Sequence, residues 1–277
     1  AAFYWFWRAM EGSRGAGEQR SRGAGVQGRS PFLPFSLSPL LHFAFSGFFL
    51  GLGFHSYFAS RGAPLIPAAF VVYLLFVAPA RLRSKWRGLL VMAVTTAAVA
   101  LPLFVAVAAQ PEAEGRVGEL ALPLIEAQVG NFGPMIDHAI AALTMTHATG
   151  DPEWLYNIPE RPVFGVVGTI FFWVGVALAL WRALIPIRNR VFKTKPGFES
   201  LNEGDLAAAF LLIWWLVGIS PAVLSVPPAS LGHVILAQPA VYMLAALPVG
   251  ALASLVPERR FVVVGLTAAL LLVAAGG

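Results

Sequence analysis

Long apolar runs constrain this chain more than any other feature of its sequence. Leu, Val, Ala and Phe gather in runs of roughly 17–25 residues, the length at which a helix crosses about 30 Å of hydrocarbon. Backbone polar groups must be paired inside lipid, which leaves helices and closed barrels as spanning structures. Because no ten-residue segments of alternating polarity are present, the pattern favours helices. We therefore predict an all-α polytopic membrane protein.

Composition supports this class. The chain is 58% hydrophobic and 12% charged, whereas a soluble domain carries about a quarter charged residues. Its net charge of +5 fits basic cytoplasmic loops better than nucleic-acid binding. Cysteine is absent, which excludes disulfides, thiolate catalysis and Cys-based metal sites.

The apolar runs predict about seven transmembrane helices and one truncated helix. The truncated helix occupies residues 1–7, and the others are centred on 35–54, 63–80, 88–109, 163–181, 206–226, 234–256 and 261–277. We interpret residues 1–277 as a single transmembrane domain that is a fragment of a longer protein, since the first residues resemble the end of a helix and not a signal peptide.

Basic residues predict the orientation. Sixteen of the 19 Lys and Arg residues lie in alternate loops, which the positive-inside rule places in the cytoplasm: 8–30, 81–87, 182–205 and 257–260. The first of these is rich in Gly, Arg and Ser and reads as a flexible loop. The remaining loops, 55–62, 110–162 and 227–233, then face outward, in a plasma or inner membrane.

The outer segment 110–162 holds eight of the 14 acidic residues and has structure of its own. Residues 134–147 predict an amphipathic helix that lies on the membrane surface or caps the bundle, with Asp137 and His138 on its polar face. The stretch that follows, "GDPEWLYNIPERP", is polar and bracketed by prolines, which force an extended course. It is either a lid over a site at the membrane boundary or a solvated connector, and the chemistry alone favours the connector.

Other polar residues allow two interpretations. His55, Tyr57 and Arg61 end a span at the outer face. Each alone is typical of interfacial anchoring, whereas the three together, beside an acidic outer loop, would clamp an anionic head group. Ser230 and His233 lie at the same level in a later outer loop. The spacing of His138, His147 and Asp151 matches no standard metal site, and no phosphate-binding or dinucleotide-binding glycine motif is present. No acid or base lies at the centre of a span, which weakens an ion-coupled transporter.

Three stretches, in order, resemble the membrane glycosyltransferases related to the dolichyl-phosphate-mannose–protein mannosyltransferases and the lipid A aminoarabinose transferase. They are "FAFSGFFLGLGFHSYFASRGAPLIP" at 43–67, "AAQPEAEGRVGELAL" leading to "GDPEWLYNIPERPVFG", and "WWLVGISPAVLSVPPASLGHVILAQPAVYMLAAL" at 214–247. The chain departs from the family in three places: bacterial members often carry His at the position of Tyr156, Gly at Glu160 and Arg near His233. The family's catalytic acid lies in its first outer loop, which would be upstream of residue 1.

The resemblance implies the C-type glycosyltransferase fold and an enzyme that moves a sugar from a polyprenyl-phosphate donor to a protein, lipid or glycan acceptor on the outer face. It requires no cofactor beyond that donor, and divalent-metal dependence stays open. Tyr57, Arg61, Tyr156, Asn157, Arg161 and His233 would bind the substrate, and Asp151 would bind it or order the lid. This portion, without the acid, would itself be inactive. A transporter or flippase for a lipid-linked sugar is the main alternative, and a non-catalytic scaffold is the third.

Overall fold

The computed structural model describes residues 1–11, 39–110, 121–192, 202–255, 261–262 and 264–268. Within these ranges the chain is helical and contains no strand. The α-helices are α1 (Ala2–Met10), α2 (Pro39–Phe54), α3 (Leu65–Val77), α4 (Pro79–Ala109), α5 (Leu122–Gln128), α6 (Gly133–Thr144), α7 (Val166–Val191), α8 (Glu203–Leu224) and α9 (Gln238–Leu255), with a 3₁₀ helix at Phe58–Gly62.

The helices form two compact units. Unit 1 comprises Ala1–Ser56 and Pro79–Val105, and unit 2 comprises Tyr57–Ala78 and Ala106–Gly277. The candidate site described below lies entirely in unit 2.

Five helical segments in the described ranges are long and apolar enough to cross a membrane: Phe58–Val77, Pro79–Ala109, Val166–Val191, Glu203–Leu224 and Gln238–Leu255. The predicted count of seven is not confirmed. The 16-residue helix α2 is apolar but falls below the length of about 20 residues that crosses the hydrocarbon. Of the predicted span 261–277, only 261–262 and 264–268 are described, and most of the predicted loop 8–30 lies outside the described residues.

The prediction of a separate loop at 81–87 is wrong, because these residues form the first turns of α4. Pro79 begins the helix at a position where its missing N–H costs nothing, and Arg and Lys are good helix formers. In unit 1, Arg81 Nε donates to the carbonyl of Met10 at 3.0 Å and Lys85 Nζ to that of Ala9 at 2.8 Å. The basic side chains therefore satisfy carbonyls that the end of α1 leaves without helical partners.

In unit 2, small residues let α7 and α9 pack closely. Pro248 has no N–H to offer the carbonyl of Leu244 four residues earlier, so α9 leaves this acceptor without its helical bond. Gly175 of α7 faces the same carbonyl, and a Cβ placed on Gly175 would lie 1.8 Å from the Leu244 oxygen. The backbone of α7 thus covers the exposed carbonyl, an approach that only glycine permits.

Helix α6 confirms the helix predicted near 134–147, but its faces differ from the prediction. His138 was assigned to the polar face, whereas it is buried with Ala142 where α6 packs against α8. The side chains of Ile136 and Ile140 are exposed instead. The imidazole is tolerated inside because its Nδ1 lies 3.1 Å from the carbonyl oxygen of Ser225, which requires Nδ1 to carry the hydrogen.

We expect Gly175→Ala to lower the free energy of unfolding by about 1–3 kcal/mol, since the added methyl group forces the two backbones apart. Gly250→Ala in α9 is the matched control. A Cβ on Gly250 meets no atom within 4 Å, so that variant should be neutral or up to about 1 kcal/mol more stable. Thermal unfolding in detergent micelles measures both, and an equal effect of the two substitutions would contradict the proposed crossing.

Candidate functional site

Three segments, which the charge pattern predicts to lie on one side of the membrane, meet at one end of unit 2. A Cβ on Gly232 would lie 2.9 Å from the hydroxyl of Tyr57 and 3.7 Å from Cζ of Tyr156. Tyr57 precedes the 3₁₀ helix, Tyr156 lies between α6 and α7, and Gly232 lies between α8 and α9. We call this region, formed by Tyr57–Gly62, 145–165 and 225–237, the polar end.

Asp151 holds two of these segments together. Its side chain is buried, with 1% of its surface exposed. Oδ1 accepts the backbone N–H of Glu153 at 2.7 Å, and Oδ2 accepts that of Leu231 at 2.6 Å. The carboxylate is thus shared between its own loop and the loop that follows α8. This arrangement supports the second of the two roles considered for Asp151, which is to order the loop.

The loop from Gly150 to Arg161 is closed by hydrogen bonds across its base. The N–H of Gly150 donates to the carbonyl of Glu160 at 2.9 Å, and the N–H of Glu160 donates to the carbonyl of Asp151 at 3.0 Å. Asn157 Nδ2 donates to the carbonyl of Arg161 at 2.5 Å. A Cβ on Gly150 would lie 1.8 Å from that same carbonyl oxygen, so the loop can close this tightly only with glycine there.

Asp151→Ala should lower the free energy of unfolding by about 2–4 kcal/mol, because it leaves two backbone N–H groups without their acceptor. The control is Asp137→Ala, which removes an exposed carboxylate from α6 and should have an effect within about 0.5 kcal/mol. Thermal unfolding of the two purified variants tests this expectation. An Asp151→Ala protein as stable as the wild type would show that the carboxylate does not join the loops.

A cavity of about 1110 Å³ opens beside this loop. Its walls come from α6, the start of α7, one face of α8, α9 and the segment 264–268. The residues that contribute polar side chains are Thr146, Tyr156, Asn157, Arg161, Gln238, Tyr242 and Thr267. All of these except Tyr242 and Thr267 belong to the polar end or adjoin it, and we call the part of the cavity that they line the cavity mouth.

Away from the mouth, the lining follows one face of α9 and is largely apolar. Val241, Ala245, Val249 and Gly250 continue this face from Gln238, while Trp215 and Ile219 contribute from α8. The stretch from Gln238 to Gly250 extends about 18 Å at 1.5 Å per residue, which exceeds the thickness of hydrocarbon in one leaflet, about 15 Å. The cavity is therefore long and largely apolar, with most of its hydrogen-bonding side chains at one end.

Arg161 is the single charged side chain among the described residues that line the cavity. It is exposed at the mouth, five residues before α7 begins. The described lining residues include no carboxylate. An anion with a long apolar tail would match both the charge and the shape of this cavity.

The structure brings only some of the predicted site residues to the cavity. Tyr156, Asn157 and Arg161 line it, and Tyr57 adjoins them across Gly232. Asp151, Arg61 and His233 are not among the lining residues. The guanidinium carbon of Arg61 lies 5.3 Å from the ring centroid of Phe58. Asp151 holds the loop through its hydrogen bond with the backbone N–H of Leu231.

His138, Ser225 and His233 form a polar cluster outside the cavity lining. His233 Nδ1 lies 3.1 Å from Ser225 Oγ, which suggests a nucleophile and its base. However, the Ser225 hydroxyl has another acceptor, the carbonyl of Pro221 at 2.5 Å. The carboxylate of Asp151 already accepts a backbone N–H group at each of its oxygens. We interpret the cluster as a structural joint between α6, α8 and the following loop.

Burial is the main influence on the titratable groups of the polar end. It raises the pKa of Tyr57, with a smaller contribution from Tyr156, so the hydroxyl remains a hydrogen-bond donor at neutral pH. Burial also lowers the pKa of His233. His138 acts in the same direction, whereas the carbonyl of Pro227 and the carboxylate of Asp151 oppose it without cancelling the effect.

The lowered pKa of His233 predicts a loss of stability in mild acid. In the unfolded chain this imidazole takes up a proton near pH 6.5, while the folded form resists protonation until the pH is lower. The free energy of unfolding should therefore decrease as the pH falls below about 6.5, and His233→Gln should reduce the slope. His147→Gln, which removes an exposed imidazole nearby, serves as the control. Equal slopes in wild type and His233→Gln would exclude this contribution.

Several cavity residues were not predicted from the sequence. Thr146 and Gln238 lie at the mouth, and Trp215 and Tyr242 form part of the wall. These residues lie within predicted apolar runs or near their ends. In such places they ordinarily pack in the core or anchor the helix. The shared face of α9 is detectable only once its neighbours are known.

Comparisons with protein-family models, curated proteins and solved structures give no match to this chain. Among the described residues, no group of three or more His, Cys, Asp or Glu side chains is arranged to hold a metal ion.

Proposed function

We propose that unit 2 binds a polyprenyl-phosphate-linked sugar and serves a membrane glycosyltransferase. The observation that carries this proposal is the cavity, which combines a mouth containing one cation with an apolar lining about 18 Å long on α9. A polyprenyl chain would occupy the apolar part. Its phosphate would lie near Arg161, and the sugar would lie toward Tyr156 and Asn157.

The chemistry needed at the mouth fits the residues present there. In the proposed transfer, an acceptor hydroxyl attacks the anomeric carbon, the bond from that carbon to the phosphate oxygen breaks, and the lipid phosphate leaves with the electron pair. A carboxylate takes the hydroxyl proton. Arg161 would stabilise the charge that develops on the leaving phosphate. The resemblance described above places the carboxylate upstream of residue 1, so this chain would supply donor binding.

The backbone of the loop gives additional support. Glu160 has φ of +63°, in the left-handed region that glycine adopts most readily. The related glycosyltransferases often carry glycine at this position. A shared turn geometry would explain how Glu160 replaces that glycine at a cost of about 1–2 kcal/mol.

Orientation belongs to the same proposal. The loops that meet at the polar end are those that are poor in Lys and Arg, which the positive-inside rule assigns to the outer face of a plasma or inner membrane. Arg182 of α7, by contrast, lies near Gly204 in the first turn of α8, with its Nη1 3.6 Å from a Cβ placed on that glycine. Donor binding would thus occur outside the cytoplasm.

We expect Arg161→Ala to weaken binding of a polyprenyl monophosphate by about 10–100-fold, since a charge-assisted hydrogen bond contributes about 1.5–3 kcal/mol. Arg188→Ala, at the other end of α7, is the control and should bind as the wild type does. Calorimetric titration of the purified chain in detergent, with the corresponding uncharged polyprenol as a second ligand, measures the effect. Equal affinities of wild type and Arg161→Ala for the phosphate would contradict the proposal.

One observation also favours a lipid-linked-sugar transporter, namely that the described cavity lining contains no carboxylate. The two functions differ in their products. With the upstream segment restored, an enzyme would release polyprenyl phosphate from the donor when an acceptor is present. A transporter would move the intact donor between leaflets, which fluorescently labelled donor in proteoliposomes would reveal.

A further inference from the structure

Helix α6 exposes a row of large apolar side chains on the surface away from α8. Ile136 and Ile140 of the helix and Phe132, its N-cap residue, follow at spacings of four residues, and the side chains of Phe132, Ile136 and Ile140 are 55%, 56% and 55% exposed. Residues four apart lie on the same helix face, so these three form one stripe. The stripe contains no charged residue.

A different sector of the same helix carries polar groups. Asp137 is exposed and lies about 100° around the helix axis from Ile136. His138, Ala142 and Met145 form the third sector and are buried, and the last two line the cavity. Helix α6 therefore has an apolar outer face, a polar outer face and a packed inner face.

Two hydrogen bonds fix the depth of α6 relative to the candidate spans. His138 Nδ1 donates to the carbonyl of Ser225, the residue that ends α8. The N–H of Val163, three residues before α7 begins, donates to the carbonyl of Met145 at the end of α6. Both tethers are attached where a candidate span ends, which is the level of the membrane interface.

We propose that α6 lies in the membrane interface with Phe132, Ile136 and Ile140 inserted among the lipids and Asp137 directed toward water. The helix is 12 residues long, about 18 Å, which is too short to cross the bilayer but suited to lying along it. The start of α7, which follows the residue bonded to Met145, also exposes apolar side chains: Val166 and Ile170 are 79% and 57% exposed.

This placement has a consequence for the cavity. Because Ala142 and Met145 line the cavity from the inner face of α6, the helix is a wall with lipid on one side and the cavity on the other. The cavity mouth then lies at the depth of the lipid head groups. This inference goes beyond the proposed function, since it holds whichever ligand the cavity takes.

Site-directed spin labelling tests the placement directly. The chain has no cysteine, so Ile136→Cys, Ile140→Cys and the control Asp137→Cys each give one labelling site. The purified full chain is reconstituted in phosphatidylcholine–phosphatidylglycerol vesicles, and collision rates of the nitroxide are measured with oxygen, which concentrates in lipid, and with a water-soluble nickel chelate.

We expect oxygen collisions to dominate at positions 136 and 140 and nickel collisions to dominate at 137. Either stripe variant suffices if the other fails to fold, as judged by its elution as a single species in detergent. Dominant nickel collisions at 136 and 140 would overturn the proposal by placing the stripe in water. Low collision rates with both reagents there would also overturn it, because they would show that protein, such as a second copy, covers the stripe.

Discussion

Hydrocarbon offers a backbone no hydrogen-bonding partner, and the described structure follows from that constraint. Each long apolar segment is a helix because a helix pairs its own N–H and C=O groups. Two of the prolines within helices lie where another group covers the carbonyl that they leave free. Ser220 Oγ, 2.8 Å from the Val217 carbonyl, does this beside Pro221, and Gly175 brings α7 onto the Leu244 carbonyl beside Pro248. Proline and its compensating neighbour act as a pair.

The same constraint explains why polar chemistry gathers at the ends of the spans. Where α7 begins and α8 ends, the chain must satisfy its backbone by other means, and side chains such as Asp151 and His138 accept or donate the hydrogen bonds. These residues join loops that are far apart in sequence. The loop that carries Tyr156, Asn157 and Arg161 is held in place by Asp151, a group that does not line the cavity. A binding site usually combines hydrogen-bonding side chains that face the ligand with residues that hold those side chains rigidly in place.

Predictions from the sequence succeeded where a local feature determines the structure and failed where residues distant in the sequence determine it. Apolar length predicted helices at 63–80, 88–109, 163–181, 206–226 and 234–256, each of which coincides with a candidate span. It could not show that α4 begins at Pro79, because charge marks a position relative to the membrane and not the end of a helix. His138 was assigned to the wrong face of α6 because its partner, the Ser225 carbonyl, lies 87 residues away. Burial of a polar group depends on such a partner, which local periodicity does not contain.

For the candidate site, the sequence identified the polar stretch but not which of its residues hold the loop and which face the cavity. Asp151, Tyr156, Asn157 and Arg161 share one short segment, yet one is 1% exposed and bound to backbone N–H groups, while the others face the cavity. The division follows from hydrogen-bonding capacity. A carboxylate can accept from two N–H groups at once and can therefore join two loops, whereas a guanidinium has only donors and cannot satisfy a backbone N–H. Arg161 is consequently unsuited to that internal role, and its side chain lies exposed among the residues that line the cavity.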